Sequence, residues 1–262
     1  MSATADPVAL GGAPVVPRWG LGDAAAGWLI AESSAVVASS ILLGATGHVQ
    51  EIGSAVLSFV HAVTHRPVAV TGIPLWMVAV LQAFLWVGLL GAPLVATRRK
   101  GNGPVRDLGL RFRWTDLPLG VAVGVASQFV LVPLLSLPWI HLLGRSTHEL
   151  DAPARELADK AHDPLGVILL VLIVVIGAPL IEELFFRGLV LRSYARRRGP
   201  AIAVGMSALV FGFTHFELLQ FPALTGFGVV LGILAVRTGR LGPGIFAHLS
   251  FNAATVIALL LR

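Results

Sequence analysis

Four stretches of this chain, at about 24–44, 74–96, 117–140 and 164–191, run apolar for twenty residues or more. A helix crossing the roughly 30 Å hydrocarbon core needs about 20 such residues. In lipid only helices and closed barrels satisfy their own backbone polar groups. Three further runs, at about 201–217, 222–237 and 243–261, are shorter or interrupted by glycine, and 222–237 is the weakest of them. The pattern predicts an all-α polytopic membrane protein with about seven transmembrane helices. Residues 45–66 place Val49, Ile52, Val56, Phe59, Val60 and Val63 at helical spacing among polar residues. That spacing fits an amphipathic helix lying at the interface, or an eighth, re-entrant segment.

Composition agrees with a bilayer as the chain's surroundings. Charged residues make up 13% of the sequence and hydrophobic ones 56%, where a soluble domain carries about 25% charged residues. The absence of cysteine excludes disulfides, thiolate metal sites and a cysteine nucleophile. Residues 1–23 contain one basic residue, Arg18, too few for the positive start of a secretory signal. They read as a tail before an uncleaved first span. The remainder divides into N-terminal spans and loops over 24–116 and a membrane core over 117–262. The net charge of +5 is small and is explained mostly by basic residues in cytoplasmic loops, so a nucleic-acid partner is not expected.

The basic residues predict orientation through their excess in cytoplasmic loops. Arg98, Arg99, Lys100, Arg106, Arg111 and Arg113 lie in the 97–116 segment, Arg192, Arg196, Arg197 and Arg198 in 192–199, and Arg237 and Arg240 in 237–242. Seven alternating spans put all three segments on one side, with the N-terminus in the cytoplasm. The intervening 141–163 loop leans acidic.

Against this apolar background, Ala-Pro-Leu-Ile-Glu-Glu-Leu-Phe-Phe-Arg-Gly at 178–188 stands out. A charge at mid-bilayer costs from about 2.5 to more than 10 kcal/mol, so an intramembrane cluster marks function by default. Glu183 and Arg187 are helical i,i+4 neighbours with the acid first, the favourable order. Glu182 points about 100° away around the helix and lacks that partner. The two carboxylates are therefore inequivalent, Glu183 structural and Glu182 free for chemistry.

Two further segments carry polar groups inside apolar runs: Phe211-Gly-Phe-Thr-His215 and His248-Leu-Ser-Phe-Asn252. His248 and Asn252 share one helical face. Two imidazoles, a carboxylate and an amide from separate helices suit a divalent metal such as zinc on Glu182, His215 and His248. They equally suit a metal-free site in which Glu182 and His215 hold a water. A lone membrane histidine more often hydrogen-bonds a neighbouring helix, and a lone Glu–Arg pair can be a packing clip. All these anchors fall in the C-terminal third, which argues for one buried polar site. Gly120 with Gly124, and Gly228 with Gly232, have the spacing of close helix contacts. No zinc-protease HExxH helix occurs, and Ser207 in Gly-Met-Ser-Ala-Leu lacks the closing glycine of a nucleophile elbow.

The set Glu-Glu-x-x-x-Arg, Phe-x-x-x-His and His-x-x-x-Asn, in this order on successive helices, resembles the CPBP family of intramembrane proteases, the CAAX- and bacteriocin-processing enzymes also called Abi. The resemblance covers about 117–262. It implies an integral, multi-pass endopeptidase of a bacterial cell membrane, acting on a membrane protein or peptide such as a prenylated tail or a leader peptide. By the same resemblance Glu182 and His215 would activate water, and His248 and Asn252 would bind metal or stabilise the oxyanion. Glu183 and Arg187 would support the site, and Phe211 opens the second motif. Two other readings remain. An ion-coupled transporter is disfavoured because such folds often repeat their polar elements in both halves. A non-catalytic scaffold or immunity protein would use the same site for binding.

Overall fold

The structure is a computed structural model that describes residues 16–48 and 72–261. Most of the 45–66 segment, including its predicted amphipathic residues, lies outside the described residues. Among the described residues the chain is helical and has no strand. The main helices are α1 (Leu21–Ala45), α2 (Leu75–Lys100), α3 (Asp116–Leu142), α4 (Pro164–Arg198), α5 (Pro200–Phe213), α6 (Phe221–Thr238) and α7 (Gly242–Leu260). All but α5 are long and apolar enough to cross a membrane.

Among the described residues six helices meet that length, and the expected count of about seven is not confirmed. The predicted 201–217 span is a 14-residue helix, Pro200–Phe213, about 21 Å long at 1.5 Å per residue. Its start is fixed by Gly199 at φ +79° and by Pro200 in the first turn. Proline suits that position because its missing N–H would have no helical partner there. The weakest predicted span, 222–237, is by contrast a full 18-residue apolar helix. It ends at Gly239, whose φ of +67° is left-handed, the usual stop where a side chain would clash.

Small residues let the helices touch through their backbones. A Cβ on Gly124 would stand 2.1 Å from Ala247 O, and one on Gly120 would stand 2.4 Å from Phe246 Cβ. The Gly120/Gly124 pair is therefore the seam between α3 and α7. Gly228 faces the Cα of Ala208 in the same way, at 3.0 Å from an added Cβ, and joins α6 to α5. Association in lipid depends on such close packing because apolar burial offers no gain over acyl chains.

α4 is 35 residues long and is not a uniform α-helix. Wide π-type turns occupy Val171–Gly177 and Glu183–Leu191. Isolated π-bulges often mark functional positions. Pro179 supplies a local reason for the first. It has no N–H to donate, and its ring excludes the carbonyl four residues earlier.

The basic segments converge at one end of the bundle. Arg18 N–H donates to Lys100 O at 2.7 Å, and Arg196 lies 3.7 Å above the ring of Trp19. Trp19 donates to Asp107 at 2.9 Å. Trp19 is thus buried structure. Lys100 pairs with Asp23 at 2.5 Å, and Leu241 N–H donates to Gly109 O at 2.9 Å. The ends of α2, α4 and α6 and the start of α1 therefore share one face of the molecule.

Candidate active site

The polar residues singled out by the sequence meet between α4, the α5 C-terminus, α6 and α7. Glu183 and Arg187 are completely buried, with Oε1 3.0 Å from Nη1. The contact is an ion pair whose angle is poor for a hydrogen bond, since Arg187 Nη1 has no hydrogen-bond partner. Arg187 is held from two other directions. Its Nη2 donates to Gly228 O at 3.3 Å, and its guanidinium lies 4.4 Å from the Phe211 ring centroid. A desolvated guanidinium over an aromatic face is a favourable contact of about 2 kcal/mol. The predicted Glu183–Arg187 pair is therefore present, buttressed by two elements that spacing alone did not identify.

His248 lies between the two carboxylates. Its Nδ1 is 3.2 Å from Glu183 Oε1, and its Nε2 is 3.8 Å from Glu182 Oε2. An ionised carboxylate only accepts, so Nδ1–H donates to Glu183, and in the neutral ring Nε2 is an acceptor. Glu183 thus orients the imidazole from behind, as the carboxylate does in other catalytic triads. The 3.8 Å gap exceeds a direct hydrogen bond, but a point about 2.8 Å from both atoms exists, within reach of a water oxygen. Gly244 makes this approach feasible, because a Cβ there would lie 2.9 Å from Glu183 Oε2. Glu182 differs from Glu183 as expected: its side chain retains 15% exposure where that of Glu183 has none.

His215 also packs against Phe211. Its Nδ1 donates to Phe211 O at 2.7 Å, leaving Nε2 as the acceptor, and its ring meets Phe211 edge-on at 4.7 Å. His248 contacts the same Phe211 ring at 5.8 Å and Phe227 at 5.4 Å. The imidazole within ion-pair range of Glu182 is therefore that of His248, not His215. Phe211 touches Arg187, both histidines and Phe186, at 5.2 Å from the last. It is the hub on which the site is assembled. Phe227 and the Gly228 carbonyl were not anticipated, because their partners lie on another helix and leave no local pattern.

Asn252 Nδ2 donates to Val174 O at 2.7 Å. Val174 belongs to the wide turn in which Ala178 N–H donates to Ile173 O. In that i→i+5 pattern the donor for Val174 would be residue 179, which is proline. Asn252 thus satisfies a carbonyl that Pro179 orphans, and ties α7 to the segment carrying Glu182. Bonds of this kind across membrane helices contribute about 1 kcal/mol. Asn252→Ala is expected to lower the thermal midpoint in detergent by that order in the parent chain. The loss should be smaller in a Pro179→Ala background, where a backbone N–H returns. Equal losses in the two backgrounds would contradict the coupling.

Ser207 is buried and donates to Phe186 O at 2.9 Å, which accounts for it as a helix-packing hydroxyl. Among the described residues no three His, Asp or Glu side chains gather with a spacing that could hold a metal ion.

Comparison with known proteins agrees with this geometry. The family model described as "Type II CAAX prenyl endopeptidase Rce1-like" matches residues 164–254, a stretch that contains every site residue from Glu182 to Asn252. The chain is 26% identical over 186 residues to "Putative membrane peptidase YdiL" of Bacillus subtilis (strain 168), covering 70% of each chain. No solved structure matches. The motifs in order, the helical bundle that brings them together and these two similarities all agree with a resemblance to the CPBP family of membrane peptidases.

Proposed function

We propose that this chain is an intramembrane endopeptidase that hydrolyses a peptide bond in a membrane-associated protein or peptide through a water activated by Glu182. The observation that supports this reading best is the pairing of Glu182 Oε2 with His248 Nε2 at 3.8 Å, with His248 fixed from behind by Glu183. Glu182 takes a proton from water as the water oxygen bonds to the substrate carbonyl carbon. His248 Nε2 accepts the second hydrogen and holds the water in line, and His215 Nε2 offers a further acceptor at the edge of the site. The carbonyl electron pair moves to oxygen, and the oxyanion takes the second amide hydrogen of Asn252. Collapse of the tetrahedral species breaks the C–N bond. The leaving nitrogen receives the proton held by Glu182, giving a carboxylic acid and an amine, which end as carboxylate and ammonium when the acid's proton passes to the amine. Preorganised donors and acceptors in a water-poor site are worth more than the same groups in bulk water.

The substrate class named by the family model, a prenylated C-terminal peptide, is the first to assay, with leader peptides second. In this reading the chain sits in a bacterial cell membrane, and the excess of Arg and Lys at the convergent basic end supports a cytoplasmic place for that end and for the N-terminus. The test uses purified protein in liposomes with both peptide types and reads products by mass spectrometry. Direct water attack predicts two simple hydrolysis products and no hydroxamate when hydroxylamine is added. A hydroxamate would reveal an acyl-enzyme and overturn the mechanism. Absence of cleavage for any membrane peptide, with a folded protein, would overturn the activity.

A further inference from the structure

The basic end of the bundle contains a cavity of about 630 Å³ between the segment after α2 and the α6–α7 turn. Arg106, Arg111, Arg113 and Arg240 line it, together with Phe112 and Thr238. Its walls are fixed. Gly109 and Gly239 both have left-handed φ, at +71° and +67°. Gly109 O accepts from Arg111 N–H at 2.8 Å and from Leu241 N–H at 2.9 Å, and Gly239 O accepts from Arg192 Nη2 at 3.0 Å. The concavity is therefore built by the chain and does not depend on side-chain rotamers alone.

Its charge is one-sided. Arg240 is neutralised by the buried Asp116, at 2.5 and 3.3 Å. The side chains of Arg106, Arg111 and Arg113 have no ion pair among the described residues. Unpaired guanidinium groups gathered at one concavity repel one another, and their planar forks match phosphate oxygens. The depth is that of a membrane surface. α3 begins at Asp116, and immediately before it Phe112 is 55% and Trp114 96% exposed, as expected of aromatics at the headgroup level. The volume falls within the roughly 300–1,000 Å³ range of ligand pockets, and at about 30 Å³ per water it holds far more than a bare anion. Basic pockets between membrane helices are known to take anionic lipid headgroups.

We propose that this cavity binds a phosphate-bearing anion, foremost the headgroup of an anionic phospholipid, through Arg106, Arg111 and Arg113. The cavity lining contains none of the residues of the peptidase centre. Gly242, where an added Cβ would stand 3.1 Å from Arg111 O, and His248 lie on the same helix, about 9 Å apart along its axis at 1.5 Å per residue.

The test uses the full chain purified in detergent and examined by native mass spectrometry with phosphatidylglycerol or phosphatidylcholine. Phosphatidylglycerol should be retained at least about tenfold better than phosphatidylcholine by the parent chain, a difference of about 1.4 kcal/mol. The combined Arg106→Ala, Arg111→Ala and Arg113→Ala variant should lose that preference. A charge-matched control, Arg98→Ala, Arg99→Ala and Arg198→Ala, should keep it. Inorganic phosphate alone is the second arm. If it raises the melting temperature of the parent but not of the cavity variant, and the lipids do not discriminate, the site takes a soluble phosphate. Equal lipid retention by parent and cavity variant, or equal loss in the cavity variant and the control, together with no effect of phosphate, would overturn the proposal. If the cavity variant does not fold, Arg111→Gln and Arg113→Gln singly should each weaken phosphatidylglycerol retention, and undiminished retention in both would overturn the proposal as well.

Discussion

Glu182→Gln lowers peptide-bond hydrolysis by about 10³-fold, within the 10²–10⁴ range of a positioned general base, while leaving the melting transition in detergent unchanged. The change is isosteric and removes the proton acceptor without removing the side chain's bulk. Glu182 is the partly exposed carboxylate, at 15%, and it has no guanidinium partner within ion-pair range. Its loss therefore affects the chemistry and little of the packing. Glu183→Gln behaves differently. It weakens the ion pair with Arg187 and also removes the charge that orients His248, so activity and melting temperature fall together. Activity retained in Glu182→Gln would contradict the assignment of the base. A melting loss in Glu182→Gln as large as that in Glu183→Gln would contradict the division of labour between the carboxylates.

The largest stability effect is expected at Arg187. Arg187→Ala removes one member of a fully buried pair and leaves Glu183 facing His248 with no guanidinium. Breaking such a pair costs about 3–5 kcal/mol, because the remaining charge is buried and uncompensated. The substitution also removes the contacts to Phe211 and to Gly228 O, so the effect belongs in the upper part of that range. Replacing both partners, as Arg187→Met with Glu183→Gln, removes the charge conflict and should recover a large part of the melting temperature without restoring activity. A double variant no more stable than Arg187→Ala alone would show that Arg187 acts mainly through its ring and carbonyl contacts.

The contrast between the carboxylates is readable from sequence because it is local: four residues along a helix bring Glu183 to Arg187, and neighbouring Glu182 points elsewhere. The apolar runs likewise reveal α1 to α4, α6 and α7, since length and hydropathy are what the bilayer imposes. What sequence spacing does not supply is depth and partner. The expectation that Glu182 and His215 hold one water rests on both lying within apolar runs and on the family resemblance. The structure places Phe211 beside His215 and brings His248 to the carboxylates from the first turns of α7. The shortness of α5 is hidden in the sequence because its run of apolar residues continues to Phe213-Thr-His-Phe, past the point where the helix ends. A 3.6-residue period also does not anticipate wide turns, so the pairing of Asn252 with Val174 O is out of its reach. Pro179 is the one local signal for it, and its meaning depends on a donor arriving from a helix more than seventy positions later.

The direct test of the central claim is a double-mutant cycle on kcat/KM with Glu182→Gln, His248→Asn and the two combined, on a peptide substrate in liposomes. Groups that hold one water act as a unit, and their losses do not multiply. The account predicts that the double variant is no slower than the slower single variant by more than about threefold, which is about 0.65 kcal/mol. Losses that multiply in full would mean that Glu182 and His248 act independently, and the shared water between them would have to be abandoned.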